Sequence, residues 1–128
     1  MRMAAALAAL MAVGLTLAGG NSSGAAERRM TGSEIREALS GNSVEGVWGN
    51  TPFHTYFQPN GVMLYKPRGG PLETGKWRVD DAQNLYCAWT ARQGWRCYEL
   101  YRDGRTIVWS APGGQERYVS EIQGGHQF

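Results

Sequence analysis

Two cysteines, two histidines and one adjacent acidic pair are all that this 128-residue chain offers to the commonest catalytic chemistries. Cys87 and Cys97 are the only thiols, and His54 and His126 the only imidazoles, so no paired-His or Cys-x-x-Cys spacing for a metal exists. No metal and no cofactor are therefore expected. A Gly-x-Ser-x-Gly elbow is absent, and a Ser-His-Asp triad would have to run through His54. Asp80-Asp81 is the one adjacent acidic pair, and it falls in turn sequence rather than across a cleft. Lys66-Pro-Arg-Gly-Gly-Pro71 is basic and flexible but has neither the length nor the lysine of a phosphate-binding loop. An excess of charge is missing too: thirteen Lys and Arg face eleven Asp and Glu, which gives no reason to expect nucleic acid or anionic lipid as partner. Catalytic residues are accordingly expected to be none.

Long hydrophobic runs are scarce. The one present spans 4–18, follows Arg2, and is rich in Ala and Leu. It is too short for a membrane span, which needs roughly 20 apolar residues. A positive start, an apolar middle and small residues beyond it read as a secretory signal, with cleavage sites satisfied after Ala18 or after Ala25/Ala26. No cysteine follows closely enough for lipid attachment. The expected destination is a periplasm or the medium. Residues 1–26 are read as signal, 27–43 as lead-in and short helix, 44–123 as one β domain, and 124–128 as a flexible tail. Without Arg2 the remainder carries twelve basic and eleven acidic side chains, a net charge of +1.

What the chain has is aromatic mass and turn chemistry. Five tryptophans, six tyrosines and three phenylalanines all lie beyond the signal. Thr31-Gly-Ser-Glu34 carries a capping-box pattern, and Ile35, Ala38 and Leu39 follow at helical spacing, with Gly41 placed to end the helix. That helix is expected to pack Ile35 and Leu39 across one end of a sheet. Strands are predicted over 44–49, 53–58, 62–66, 75–80, 84–89, 95–102, 105–111 and 116–122. Pro59-Asn-Gly61, Asp81-Ala-Gln-Asn84, Asp103-Gly104 and Pro112-Gly-Gly114 punctuate them. Such short connections permit only antiparallel neighbours. The predicted fold is mainly β, a meander of about eight short strands curled into a small barrel or a strongly bent sheet.

Alternation sorts side chains onto faces. Phe53, Thr55 and Phe57 oppose His54 and Tyr56; Trp77 and Val79 oppose Lys76 and Arg78. Ile107 and Trp109 oppose Val108, and Tyr118 and Ile122 oppose Arg117 and Val119. Pairing Cys87 with Cys97 across a hairpin also pairs Trp89 with Trp95 and leaves 91–93 as the loop. Tyr86, Tyr98 and Leu100 fall on the other face, so this hairpin is expected to be covered on both sides. In an oxidising compartment the two cysteines are expected to form a disulfide. Closing about ten residues would stabilise the domain by about 2.5–3 kcal/mol on the chain-entropy model. A redox couple is the competing reading, but redox pairs sit as Cys-x-x-Cys at a helix start.

Two segments, Gly46-Val-Trp48 and Gly75-Lys-Trp77, share a Gly-x-Trp pattern. The first follows a short helix and opens the sheet, an arrangement similar to the lipocalin signature, in which Arg117 would be the partner stacked on the tryptophan. Over 31–105 the chain as a whole resembles a family of small secreted proteins of Gram-negative bacteria. The resemblance rests on the helix Ser33-Glu-Ile-Arg-Glu-Ala-Leu39, then Ser40-Gly-Asn-Ser-Val-Glu-Gly46, Tyr56-Phe-Gln-Pro-Asn-Gly61 and Gly75-Lys-Trp-Arg-Val79. Leu85-Tyr-Cys87 and Cys97-Tyr-Glu-Leu-Tyr-Arg-Asp-Gly104 complete it. It implies an antiparallel β domain with a hairpin disulfide and brings no activity.

The functional expectation is a monomeric, non-enzymatic envelope module that binds a small molecule or another envelope protein. A ligand site is expected around His54, Tyr56, Tyr65, Arg68 and Arg78, beside the Gly-rich loop at the barrel rim. Partner contacts are expected at Trp89, Arg92 and Trp95, where a rigid hairpin could enter the cleft of a hydrolase as an inhibitor. A small enzyme using His54 is the competing class. Membrane insertion is not expected, because Lys76, Arg78 and Glu121 interrupt strand faces that would have to be apolar.

Overall fold

A computed structural model describes residues 27–114 and 116–128; the expected signal lies outside the described residues. The chain enters as a two-residue strand, β1 (Arg28–Arg29), and turns into helix α1 (Gly32–Leu39). The capping box forms as its pattern predicts. Thr31 Oγ1 accepts from the Glu34 amide at 3.2 Å, and Glu34 Oε1 accepts from the Thr31 amide at 2.8 Å. The Thr31 amide, donating to the carboxylate, holds Glu34 below the usual glutamate range. Gly41, at φ +78°, reverses the chain and donates to the Phe57 carbonyl at 2.7 Å.

Eight strands follow: β2 (Asn42–Trp48), β3 (Thr51–Phe57), β4 (Val62–Pro67), β5 (Glu73–Asp80), β6 (Leu85–Thr90), β7 (Gly94–Asp103), β8 (Thr106–Ser110) and β9 (Arg117–Gly124). Each is antiparallel to the next. β9 returns to β2 with Val44 opposite Ile122 and Gly46 opposite Ser120, so the meander closes into an eight-stranded barrel. Of the barrel and the bent sheet, the molecule is the barrel. Tight closure has a residue-level cause at the two Gly-x-Trp segments. A Cβ on Gly46 would sit 2.8 Å from the Val119 carbonyl oxygen, and one on Gly75 would run into the Trp89 carbonyl. Both glycines face inward, where neighbouring backbone approaches too closely for any side chain.

The barrel's interior follows the predicted alternation. Phe53, Thr55, Phe57, Trp77, Tyr86, Tyr98, Leu100, Ile107, Trp109 and Ile122 are buried. Phe57 meets Trp77 and Tyr86 edge-on at 5.6 and 5.8 Å, and Tyr86 meets Trp109 edge-on at 4.9 Å. Ile35 and Leu39 of α1 are fully buried. Their helix packs against β2, β5 and β6 at the end where β2 starts and β3 ends, and so plugs it. Asn84, in the β5–β6 turn at φ 56°, clips the helix start by accepting from the Gly32 amide at 2.7 Å.

Three expectations are corrected. First, the lead-in is not wholly irregular: Arg28 pairs with Arg102 and Arg29 with Tyr101, and the Met30 amide donates to the Leu100 carbonyl at 2.8 Å. β7 outruns β6, and β1 satisfies the backbone groups that β6 does not reach. Second, the tail is exposed but tied to the barrel. β9 runs through Gly124, and the fully buried Ser43 hydroxyl donates to the Gly125 carbonyl at 2.6 Å and accepts from the Gln127 amide at 3.3 Å. His126 stacks on Tyr56 at 4.2 Å, and Phe128 lies 5.7 Å from His54. Third, the disulfide hairpin is covered only in part on its outer face: Cys87 is buried there, and Trp95 is not. Cys87 and Cys97 are bonded, but outside them Trp95 remains 45 % exposed. Its cover is the Arg78 guanidinium, 4.5 Å from the ring centre, while Lys76 lies 5.2 Å from that of Trp89.

Candidate functional site

The end opposite α1 is the mouth. There the β2–β3, β4–β5, β6–β7 and β8–β9 connections gather, and a cavity of about 210 Å³ opens into the barrel. Two of its lining positions near the mouth, Ala88 and Thr90, carry small side chains. The floor is made by Phe57, Tyr86 and Trp109, and the wall by Phe53, Tyr98 and Tyr118.

Polar groups at this site are few and placed. Trp109 Nε1 donates to Ser120 Oγ at 2.7 Å, which satisfies a buried indole. Tyr86 Oη lies 3.3 Å from Met63 Sδ, a weak acceptor, and burial pushes its phenol far above the ordinary range. Tyr118 is pushed up likewise, by burial first and then by Tyr98 and Tyr86 beside it. Tyr65, nearer the mouth, is raised by burial and by the Glu73 carboxylate. All three phenols are neutral donors at physiological pH. Arg92 reaches from the β6–β7 loop to Glu73 at 3.0 Å, laying an ion pair along the rim. Arg96 faces inward on β7, opposite Ala88, with its guanidinium 3.5 Å from Glu116. The hydroxyl of Tyr98 draws the Arg96 pKa upward.

Of the five residues expected to form a ligand site, only Tyr65 lines this cavity. Thr55 pairs with Tyr65, so both face inward and His54 and Tyr56 must face out. His54 meets Glu45 at 3.1 Å on the outer surface, and Tyr56 lies under the tail. Arg78 points outward onto Trp95 because Trp77 takes the inward position. Arg68 sits in the β4–β5 loop, its amide donating to the Pro52 carbonyl at 2.9 Å, and shares a shallow outer groove with His54. The Gly-rich loop does lie at the rim, where the Lys66 ammonium donates to the Gly70 carbonyl. The partner trio divides as well: Trp89 and Trp95 pair on the outer face while Arg92 leans over the mouth. The Arg117 stack does not form. Trp48 instead meets Tyr118 edge-on at 4.7 Å, and Arg117 holds Glu27 at 2.8 Å.

Arg96 and Glu73 are charged lining residues that the sequence did not single out. A signal for Arg96 existed. Once Cys97 and Trp95 share one face, Arg96 must join Tyr98 and Leu100 on the other. Among the described residues, no three His, Cys, Asp or Glu side chains lie close enough to hold a metal ion. No helix among them is long and apolar enough to cross a membrane. Compared with family models, curated proteins and solved structures, the chain matches none.

Proposed function

We propose that this protein is an exported, non-enzymatic binding module that carries a small, largely apolar molecule inside its barrel. One observation carries the reading: a closed barrel, plugged at one end, keeps an aromatic-lined cavity of about 210 Å³ open at the other. A cavity of roughly 150 Å³ with apolar walls takes up a benzene-sized molecule. This one therefore suits a single ring or a short aliphatic chain, and is too small for a lipid. Large side chains fill the lower barrel to close packing, and the mouth is the region that sequence and fold leave unfilled.

Export is supported by Arg2, the apolar run over 4–18 and a disulfide suited to an oxidising compartment. Charged side chains on the outer face, Glu45, Lys76, Arg78 and Glu121 among them, favour a barrel that stays in water. The inhibitor reading is weaker than carriage because Arg92, although 75 % exposed at the hairpin tip, is ion-paired with Glu73 of the same molecule. The enzyme reading is weaker because His54 stands on the outer wall, away from the cavity.

Native mass spectrometry of protein purified without denaturation from the cells that export it tests the proposal. We expect a mass above that of the processed polypeptide, with the excess lost on gentle activation. A bare polypeptide whose lumen also fails to take up benzene or hexanol would overturn carriage.

A further inference from the structure

We infer that the molecule carried is a compact carboxylic acid, its apolar body in the lumen and its carboxylate held at the mouth by Arg96 and the tyrosine hydroxyls beside it. The inference rests on lumen carriage and adds the chemistry of the head group. Three charged side chains line the cavity, Glu73, Arg92 and Arg96, which leaves one positive charge in excess. Glu73 and Arg92 already satisfy each other at 3.0 Å. The remaining cation is Arg96, whose one ion-pair partner lies outside the cavity lining. Its nearest carboxylate, Glu116, stands at 3.5 Å, too far for a good hydrogen bond, and the side chain is 44 % exposed. A guanidinium has five N–H donors in a planar fork that matches a carboxylate.

The surroundings of Arg96 suit an acid rather than a structural ion pair. Ala88 stands directly opposite and also lines the cavity, so the strand facing Arg96 presents only a methyl group there. The rings of Tyr98 and Tyr118 meet edge-on at 5.7 Å, which puts two phenols on the same wall. Burial keeps Tyr118 protonated, and a neutral phenol donates to an anion without repelling it. Below lie Trp109, Phe57 and Tyr86, an apolar floor for a ring or short chain. One spare cation balances a monoanion; a phosphate dianion would be left short of countercharge.

The test is calorimetric titration of the disulfide-bonded mature protein with benzoate and hexanoate against their neutral isosteres, benzamide and hexanamide. Each acid should bind about tenfold or more tightly than its amide, the factor expected of hydrogen bonds to a charged partner. Arg96→Gln should abolish that preference, Arg96→Lys should keep part of it, and Arg78→Gln, on the outer wall, should leave it intact. Far-ultraviolet circular dichroism and the summed tryptophan fluorescence check folding in each variant. Equal binding of acid and amide would overturn the inference while leaving carriage standing. Acid preference that survives Arg96→Gln would overturn the role of Arg96. If none of the four binds, the carboxylate inference falls, and the mass of the native protein still decides carriage independently.

Discussion

Gly75 shows how much one missing side chain does in this barrel. It faces inward on β5, and a Cβ there would meet the Trp89 carbonyl and come within 3.0 Å of the Met63 methyl. Backbone cannot yield as a flexible side chain does, so β5 and β6 would have to part. Gly75→Ala is expected to destabilise the fold by about 1–3 kcal/mol, the range for overpacking. Gly124→Ala places its Cβ in open space at an ordinary φ and should cost less than about 0.5 kcal/mol. Urea unfolding of both variants, compared at constant m-value, checks the difference. Equal effects would mean that backbone crowding at Gly75 is not what closes the barrel.

At the scale of elements, the β6–β7 hairpin is held three ways: by its ladder, by its neighbours β5 and β8, and by the Cys87–Cys97 bond across ten positions of sequence. Removing the bond leaves the other two in place. The double change Cys87→Ala, Cys97→Ala should therefore lower stability by about 2.5–3 kcal/mol while the far-ultraviolet circular dichroism stays that of the barrel. Loss of the β signal at ambient temperature would show that the bond is required for the fold itself. The hairpin was legible in advance because strand alternation and cysteine position agreed with each other. β1 was not, because two arginines have no strand propensity that outweighs their charge. Their pairing is fixed by the unmet backbone of β7, which only the folded barrel creates. The tail was hidden for the same reason: Ser43 reads as a surface serine until β9 brings residues 125–127 beside it.

For the whole molecule, burial of neutral phenols sets the response to alkali. Tyr86 and Tyr118 have folded-state pKa values raised above those of the unfolded chain, chiefly by burial. Their contribution is complete below the ordinary tyrosine value of about 10 and is lost progressively as pH rises past it. Ionisation of these two phenols should therefore accompany unfolding rather than precede it. The last step of the phenolate absorbance and the change in tryptophan fluorescence are expected to share one midpoint. Tyr86→Phe, which gives up only a weak contact to Met63 sulfur, should move that midpoint to higher pH. Phenolate appearing from Tyr86 in a still-folded barrel would contradict its burial.

By itself the sequence determined what repeats along the chain: the capped helix, the eight antiparallel strands, the inward set of aromatics and the cysteine pairing. All of these follow from local rules, since turn residues dictate connections and period-two alternation assigns faces. Only the tertiary structure decided that the sheet closes, that its cavity opens away from α1, and that Arg96 rather than His54, Tyr56, Arg68 or Arg78 overlooks it. Those are questions of which strands meet and at which end. The contact between β9 and β2, about 75 positions apart in sequence, answers them through backbone approaches that no single segment encodes.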